Sequence, residues 1–330
     1  MHAATVLIGD RLGLYRAMAD SEWKSPDEIA EATSTHPRYV REWLAAQAAS
    51  GYAEYDAETR RFRLTPVQAM ALTGAGGMFD APAGILAAAS VLADVDAISE
   101  AFAAGRGIVW SDRHPDLTEA TARFFAGNYR SHLVHDWLPA LDGVEERLRQ
   151  GINVIDIGCG GGASTILMAE AFPESSFLGI DSDPGSIDLA REQAAQAGVE
   201  DQCSFLVATA KDYPGSDYGL ATTFDALHDM GDPTGAAAHV LETLADDGVW
   251  MIVELFAGDH VEENLTPVGR IAYSVSTTIC LPTSRSQEVD AGLGAQAGER
   301  RIREVVTAAG FTRFRRATET PMNLIFEAQP

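Results

Sequence analysis

The stretch Val154-Ile155-Asp156-Ile157-Gly158-Cys159-Gly160-Gly161-Gly162 limits what this chain can fold into more than any other. A short apolar run leads into four glycines in five positions, and a helix-forming segment, 163–171, follows. Glycines at such a point let the backbone turn tightly and approach a ligand closely. The helix start behind them offers unpaired N–H groups. Beyond the loop, apolar runs at 177–180, 204–207, 220–224 and 249–253 alternate with helical stretches at 185–197 and 236–244. That alternation predicts a parallel sheet wound with helices. Residues 311–314 and 323–326 are expected to close the chain as two late strands around 318–321.

Asp181 ends the second of these strands, 21 residues after Gly160. A carboxylate at that place can accept both hydroxyls of an adenosine ribose. Read as G-x-G-x-x-A, Gly158, Gly160 and Ala163 also fit a dinucleotide fingerprint. Three features oppose a dinucleotide. Asp156 stands two residues before the first glycine, where such folds usually carry an apolar residue. The loop lies mid-chain. The ending, a helix at 301–309, then Gly310-Phe311 and two strands, fits a seven-stranded sheet whose last strand is inserted antiparallel.

Over 151–330 the sequence resembles the class I S-adenosylmethionine-dependent methyltransferases. The resemblance is carried by 154–162, by Gly179-Ile180-Asp181-Ser182-Asp183 and by Leu244-Ala245-Asp246-Asp247-Gly248 ahead of a strand. It implies a Rossmann-like seven-stranded α/β sheet, S-adenosyl-L-methionine as cofactor and S-adenosyl-L-homocysteine as product. Gly158 and Gly160 would meet the methionine part through their backbone. Asp181 would hold the ribose, and Ser182, Ala210 and Lys211 would lie near the adenine. Asp156, Cys159, Gly162 and Asp225 complete the expected cofactor surround, with Tyr129 folded over it. Cys159 is read as a small residue in the turn.

After the fourth strand comes Asp225-Ala226-Leu227-His228-Asp229-Met230. A histidine at the mouth of a parallel sheet titrates near neutrality, at about 6.5 when unperturbed, and can take a proton from a hydroxyl. The block looks like the Leu-His-Asp-Trp stretch of plant-type and bacterial small-molecule O-methyltransferases, with Met230 in place of Trp. In that family the histidine is the base and two glutamates steer it. Glu254 and Glu299 stand at the corresponding spacings. Residues 255–298 depart from the plant pattern, and in detail the chain is closer to bacterial winged-helix methyltransferases of unassigned substrate. A transferase acting on N, S or C by proximity alone, without a base, and a cofactor-binding scaffold without turnover both remain compatible with the glycine loop.

Residues 1–75 read as helix, helix, helix and hairpin, a winged-helix order; in the resembled family such a domain serves dimerisation, so a homodimer is expected. Residues 76–150 read as a helical linker and pocket cover, and 151–330 as the cofactor-binding domain. Phe124, Phe125, His132 and Tyr273 are the expected acceptor-pocket residues. Winged helices also bind DNA, which would make the chain a regulator with a cofactor-sensing domain. Charge opposes that reading: the chain carries 24 Lys+Arg against 48 Asp+Glu, a net of −24. Residues 1–75 hold eight basic and ten acidic groups, a net of −2, so −22 falls in 76–330. A surface of that sign repels phosphates, so nucleic acid is not an expected partner. The three cysteines, Cys159, Cys203 and Cys280, are too few and too scattered for a disulfide framework or zinc ribbon. With no apolar run of roughly 18 residues, the expectation is a cytoplasmic protein that turns over a small molecule without a metal.

Overall fold

The computed structural model describes residues 1–330 except 75, 76 and 79, so the domain boundary expected at 75/76 lies outside the described residues. The chain forms two compact units, Met1–Leu92 with Glu119–Ser131, and Ala93–Thr118 with His132–Pro330. The stretch 76–150, expected as one linker, is divided between them.

The first unit is the winged helix. Ser25 caps the helix Pro26–Ala32 in a reciprocal box with Glu28, and Pro26 occupies the first helical position. Helix Pro37–Ala49 follows, capped by His36, and then the hairpin of β1 (Glu54–Asp56) and β2 (Arg61–Arg63). Val6, Leu14, Ile29, Val40, Leu44 and Leu64 fill its core. Inside it, the Tyr15 hydroxyl donates to Gln47 Oε1 at 2.7 Å. On the helix expected to face DNA, Arg38 is paired with Glu42 at 2.7 Å, which cancels much of its charge. Helix Asp116–His132 carries Phe124, Phe125 and Tyr129. Phe125 and Tyr129 stack, and Phe124 meets Phe125 edge-on.

The second unit is built on a seven-stranded sheet. Its strands are β3 (Asn153–Ile157), β4 (Ser176–Asp181), β5 (Cys203–Val207), β6 (Tyr218–Phe224), β7 (Leu244–Leu255), β8 (Arg313–Glu319) and β9 (Asn323–Gln329). The order is β5-β4-β3-β6-β7-β9-β8. Strands β3 to β7 are parallel, while β9 runs antiparallel to both β7 and β8. The sheet therefore matches the expected Rossmann-like architecture with an inserted antiparallel strand. β8 differs from its expected span: it runs Arg313–Glu319, through residues read as the turn. Phe311 is instead a buried residue ahead of the strand, packed on Trp250. As an edge strand β8 carries three arginines and no fully buried residue, a polar pattern that hides its length from an apolar-run criterion.

Chain order departs from β3 to β4 and β5 on one side and returns to β6 on the other. The carboxyl ends of β3 and β6 thus frame a topological switch point, where open α/β sheets bind ligands. Ile155, Ile157, Leu227, Trp250, Val306 and Phe326 are buried around the sheet. Fully burying such a side chain contributes about 1.5–3 kcal/mol, so the loops at the strand ends stand on a rigid base.

Candidate active site

The glycine loop leaves β3 at that switch point. Gly158 sits at φ +73°, a left-handed conformation, and a Cβ there would lie 2.8 Å from the Ala226 Cβ. Gly158 is thus required twice, by backbone and by space. Gly160 is also left-handed at φ +51°, but nothing lies within 4 Å of where its Cβ would be. The loop is packed at its root and open at its crest. Its helix, Ala163–Ala171, starts from Gly162 with no side-chain cap, which leaves N–H groups for a ligand.

Asp181, at the end of β4, faces the loop. Gly160 N–H donates to its Oδ2 at 3.0 Å and Asp183 N–H to its Oδ1 at 2.9 Å. Each oxygen keeps a further lone pair for ribose hydroxyls. Burial pushes the Asp181 carboxyl up, and the two backbone donors work against that rise. An open glycine crest beside a carboxylate held by two backbone donors fits S-adenosylmethionine. Ser182 is exposed beside Asp181. Ala210 and Lys211 lie on the loop after β5, where Lys211 Nζ pairs with Asp232 at 3.1 Å.

Asp156, expected among the cofactor residues, lies beneath the loop, 1% exposed. Ser164 and Thr165 hydroxyls donate to its Oδ2 at 2.7 and 2.6 Å, and the Thr222 hydroxyl to its Oδ1 at 2.9 Å. Burial raises its pKa, against those three donors. The carboxylate thereby ties β3, β6 and the helix behind the loop together. Cys159 is buried with its thiol pushed up by burial, as suits a packing residue. Asp225 adopts φ +50° at the end of β6. Its N–H donates to the Val253 carbonyl at 2.8 Å, and its Oδ1 accepts from Asn323 Nδ2 at 3.2 Å.

Three residues later, the short turn Leu227–Asp229 places His228 over the end of β7. The imidazole is 2% exposed. Its Nδ1 is hydrogen-bonded to Glu254 Oε2, while its backbone N–H donates to Glu254 Oε1 at 3.3 Å. Its Nε2 lies 3.3 Å from Asp229 Oδ1. Burial alone would lower the His228 pKa; the carboxylates of Glu254 and Asp229 outweigh it and hold the pKa well above the usual histidine value. Burial pushes Asp229 up, opposed by His228.

Of the two glutamates expected to steer the base, the structure brings only Glu254 to it. Glu299 opens the helix Gly298–Ala308, and its described partners are Arg303 at 2.6 Å and Arg316 at 2.5 Å. Burial works to raise its pKa, but the two arginines prevail and lower it. Tyr273 lies on helix Pro267–Val275, its hydroxyl 3.5 Å from Asn264 Nδ2. His132 stacks on Trp137, with Nδ1 2.6 Å from Asp136. Phe124, Phe125 and Tyr129 belong to the first unit.

Several residues of the site had no reading from sequence. Ser164, Thr165 and Thr222 brace Asp156. Asp229 and Cys280 both hydrogen-bond or pair with His228. Arg113, 6% exposed, donates from Nη2 to the Thr278 carbonyl. Asp229 was legible as the neighbour of His228; Cys280 and Arg113 are far from it in sequence and carry no local signal.

Comparison with known proteins agrees with this geometry. Residues 148–291 match the methyltransferase domain family and residues 2–74 the Rv2258c-like winged HTH domain. A 27-O-demethylrifamycin SV methyltransferase of Amycolatopsis mediterranei is 26% identical over 58% of this chain and 66% of its own length. The chain thus spans less than two thirds of the curated relatives it matches first. An O-methyltransferase family protein from Burkholderia thailandensis aligns at TM-score 0.71 and 16% identity, over 99% of this chain and 93% of that one. Human N-acetylserotonin methyltransferase, solved with S-adenosylmethionine, aligns at TM-score 0.70 and 13% identity, over 99% and 93%. The chain therefore joins an N-terminal winged HTH domain to a methyltransferase domain built on the Rossmann-like seven-stranded fold.

Proposed function

We propose that the protein transfers a methyl group to a hydroxyl of a small-molecule acceptor, with His228 as general base. The observation that carries this reading is the Glu254 carboxylate on His228 Nδ1, which leaves Nε2 as the nitrogen that exchanges a proton. Bound S-adenosylmethionine supplies the methyl on a sulfonium. Asp181 would hold its ribose, the backbone of Gly158 and Gly160 its methionine part, and Ser182, Ala210 and Lys211 would border the adenine. Nε2 would receive the acceptor proton, and the Glu254 carboxylate would stabilise the imidazolium that forms. In this role the acceptor hydroxyl takes the place of Asp229 at Nε2. Tyr273 and His132 are the sheet unit's own proposed acceptor contacts.

A base must be neutral to act. Because the His228 pKa is held well above its ordinary value, the methyl-transfer rate is expected to climb with pH through that raised pKa and level off above it. Asp229→Asn removes one of the charges that raise it and should move the climb to lower pH by about one unit. Initial rates across neutral to alkaline pH with phenolic acceptors test this. A flat profile, or one unmoved by Asp229→Asn, excludes His228 as the base.

We also propose a homodimer through the N-terminal unit. Ile8 on helix His2–Arg11, Leu12 just after it, and Val67 and Met70 on helix Pro66–Thr73 are exposed there, and the sequence of this unit resembles a dimerisation-type domain. Sedimentation velocity should show a two-chain species at micromolar concentration that Val67→Glu or Ile8→Glu dissociates. A single-chain species for the unaltered protein would remove this part of the proposal.

A further inference from the structure

Three donor atoms of different chemistry converge at the ends of β6 and β7. One ligand atom each from His228, Asp229 and Cys280 lie within 4.8 Å of one another. His228 and Asp229 come from the short turn after β6. Cys280 comes from the π-helical turn Ser276–Cys280, more than fifty residues further along the chain. π-helical turns are rare and concentrate at functional sites.

The surroundings of the three atoms are those of a ligating imidazole. Metal-bound histidines generally pass their other ring N–H to a carboxylate, which fixes the tautomer and raises ligand basicity. Glu254 occupies that position on Nδ1, so Nε2 is the nitrogen turned to Asp229. Asp229 Oδ1 is buried and has no hydrogen-bond partner among the described residues. It lies 3.3 Å from Nε2. With bonds of about 2.1 Å to N or O and about 2.3 Å to S, tetrahedral donors stand roughly 3.5 Å apart. The histidine–aspartate pair is already at that spacing, and the Cys280 sulfur lies within 4.8 Å of both.

Charge points the same way. Glu254, Asp229 and a Cys280 thiolate carry three negative charges, and Arg113 acts on Asp229 and Cys280 with one positive charge. A divalent cation offsets two of these negative charges, which a buried cluster favours.

We propose that His228, Asp229 and Cys280 form a binding site for a thiophilic divalent cation of the zinc class, and that its occupancy blocks methyl transfer by taking the Nε2 lone pair. On binding, metal–nitrogen, metal–oxygen and metal–sulfur bonds form. The thiol proton, and the Nε2 proton where present, pass to solvent; nothing is oxidised or reduced. The fourth position stays open to water or to the acceptor oxygen. Blocking rests on the role of His228 as base; binding does not.

Cobalt(II) is the probe. Titrating the full chain with cobalt chloride should give one bound equivalent, the visible bands of a tetrahedral ion and a near-ultraviolet thiolate-to-cobalt band. Zinc should displace it. Cys280→Ser should abolish the thiolate band, and Cys203→Ser, at another buried cysteine, should keep it. Glu254→Gln should weaken cobalt binding roughly 10–100-fold by freeing the imidazole. No binding at about 1 mM cobalt, or binding unchanged in both Cys280→Ser and His228→Ala, overturns the site. Cobalt bound at this site with methyl transfer unaffected keeps the site and overturns the blocking role, and with it the assignment of His228 as base.

Discussion

His228→Ala is expected to lower methyl transfer to a hydroxyl acceptor by about 10²–10⁴-fold, the usual contribution of a positioned acid or base. Affinity for S-adenosylhomocysteine, measured by calorimetry, should stay within about twofold, a change under 0.5 kcal/mol, because the cofactor residues proposed here sit on β3, β4 and the loops after β3, β4 and β5, not on the turn that carries His228. The rate that remains should lose its rise with pH, since the titrating group is gone. Glu254→Gln should fall in the same direction but less far. It keeps the side chain's shape and an acceptor for the His228 backbone N–H, yet loses the charge that stabilises the imidazolium. If His228→Ala retains near-normal turnover while binding cofactor, the acceptor is deprotonated by another group or needs no base, as for transfer to N, S or C by proximity.

The second large effect is on stability. Asp156→Ala is expected to destabilise the sheet unit by about 3 kcal/mol or more, because it leaves the buried hydroxyls of Ser164, Thr165 and Thr222 without their common acceptor. Asp156→Asn should cost less. It retains one acceptor oxygen, and it removes the penalty of burying a charge that raises the Asp156 pKa in the first place. The sign of that shift is informative. A carboxyl whose folded pKa lies above its unfolded value weakens the fold as pH rises through that interval, so the Asn variant should lose part of the wild-type protein's falling stability across the acid range. Urea unfolding followed by near-ultraviolet dichroism, to which the buried Trp137 and Trp250 of this unit contribute, reads both variants. Equal stability of Asp156→Ala and wild type would mean that the three hydroxyls find water or one another, and that the carboxylate is no brace.

The two expected roles of acidic residues separate on burial. Asp156 and Asp181 look alike in sequence, each an acid at a strand near the glycine loop. In the fold, Asp156 points under the loop to three hydroxyls, and Asp181 points across it to two backbone N–H groups. Strand alternation alone gives the two faces of β3; it does not say which face the helix behind the loop will cover. Glu254 and Glu299 divide in the same manner. Glu254, the last residue but one of β7, meets the turn after β6, a position set by parallel register, Phe224 opposite Val253. Glu299 begins a helix, and two arginines, one on that helix and one on β8, claim its oxygens.

Periodicity and glycine chemistry thus encode the alternation of strands and helices, the seven-stranded sheet, the loop after β3 with Asp181 opposite, the winged helix and the position of His228. These are local properties, set by side-chain spacing and by backbone conformations that few residues tolerate. Packing in three dimensions set which polar groups meet. It turned Asp156 into a brace, gave Glu299 to arginines, and set Asp229, Cys280 and Arg113 around His228. Cys280 lies 52 residues beyond His228. Contacts over that separation depend on how helices pack against the sheet, which no local pattern of residues specifies.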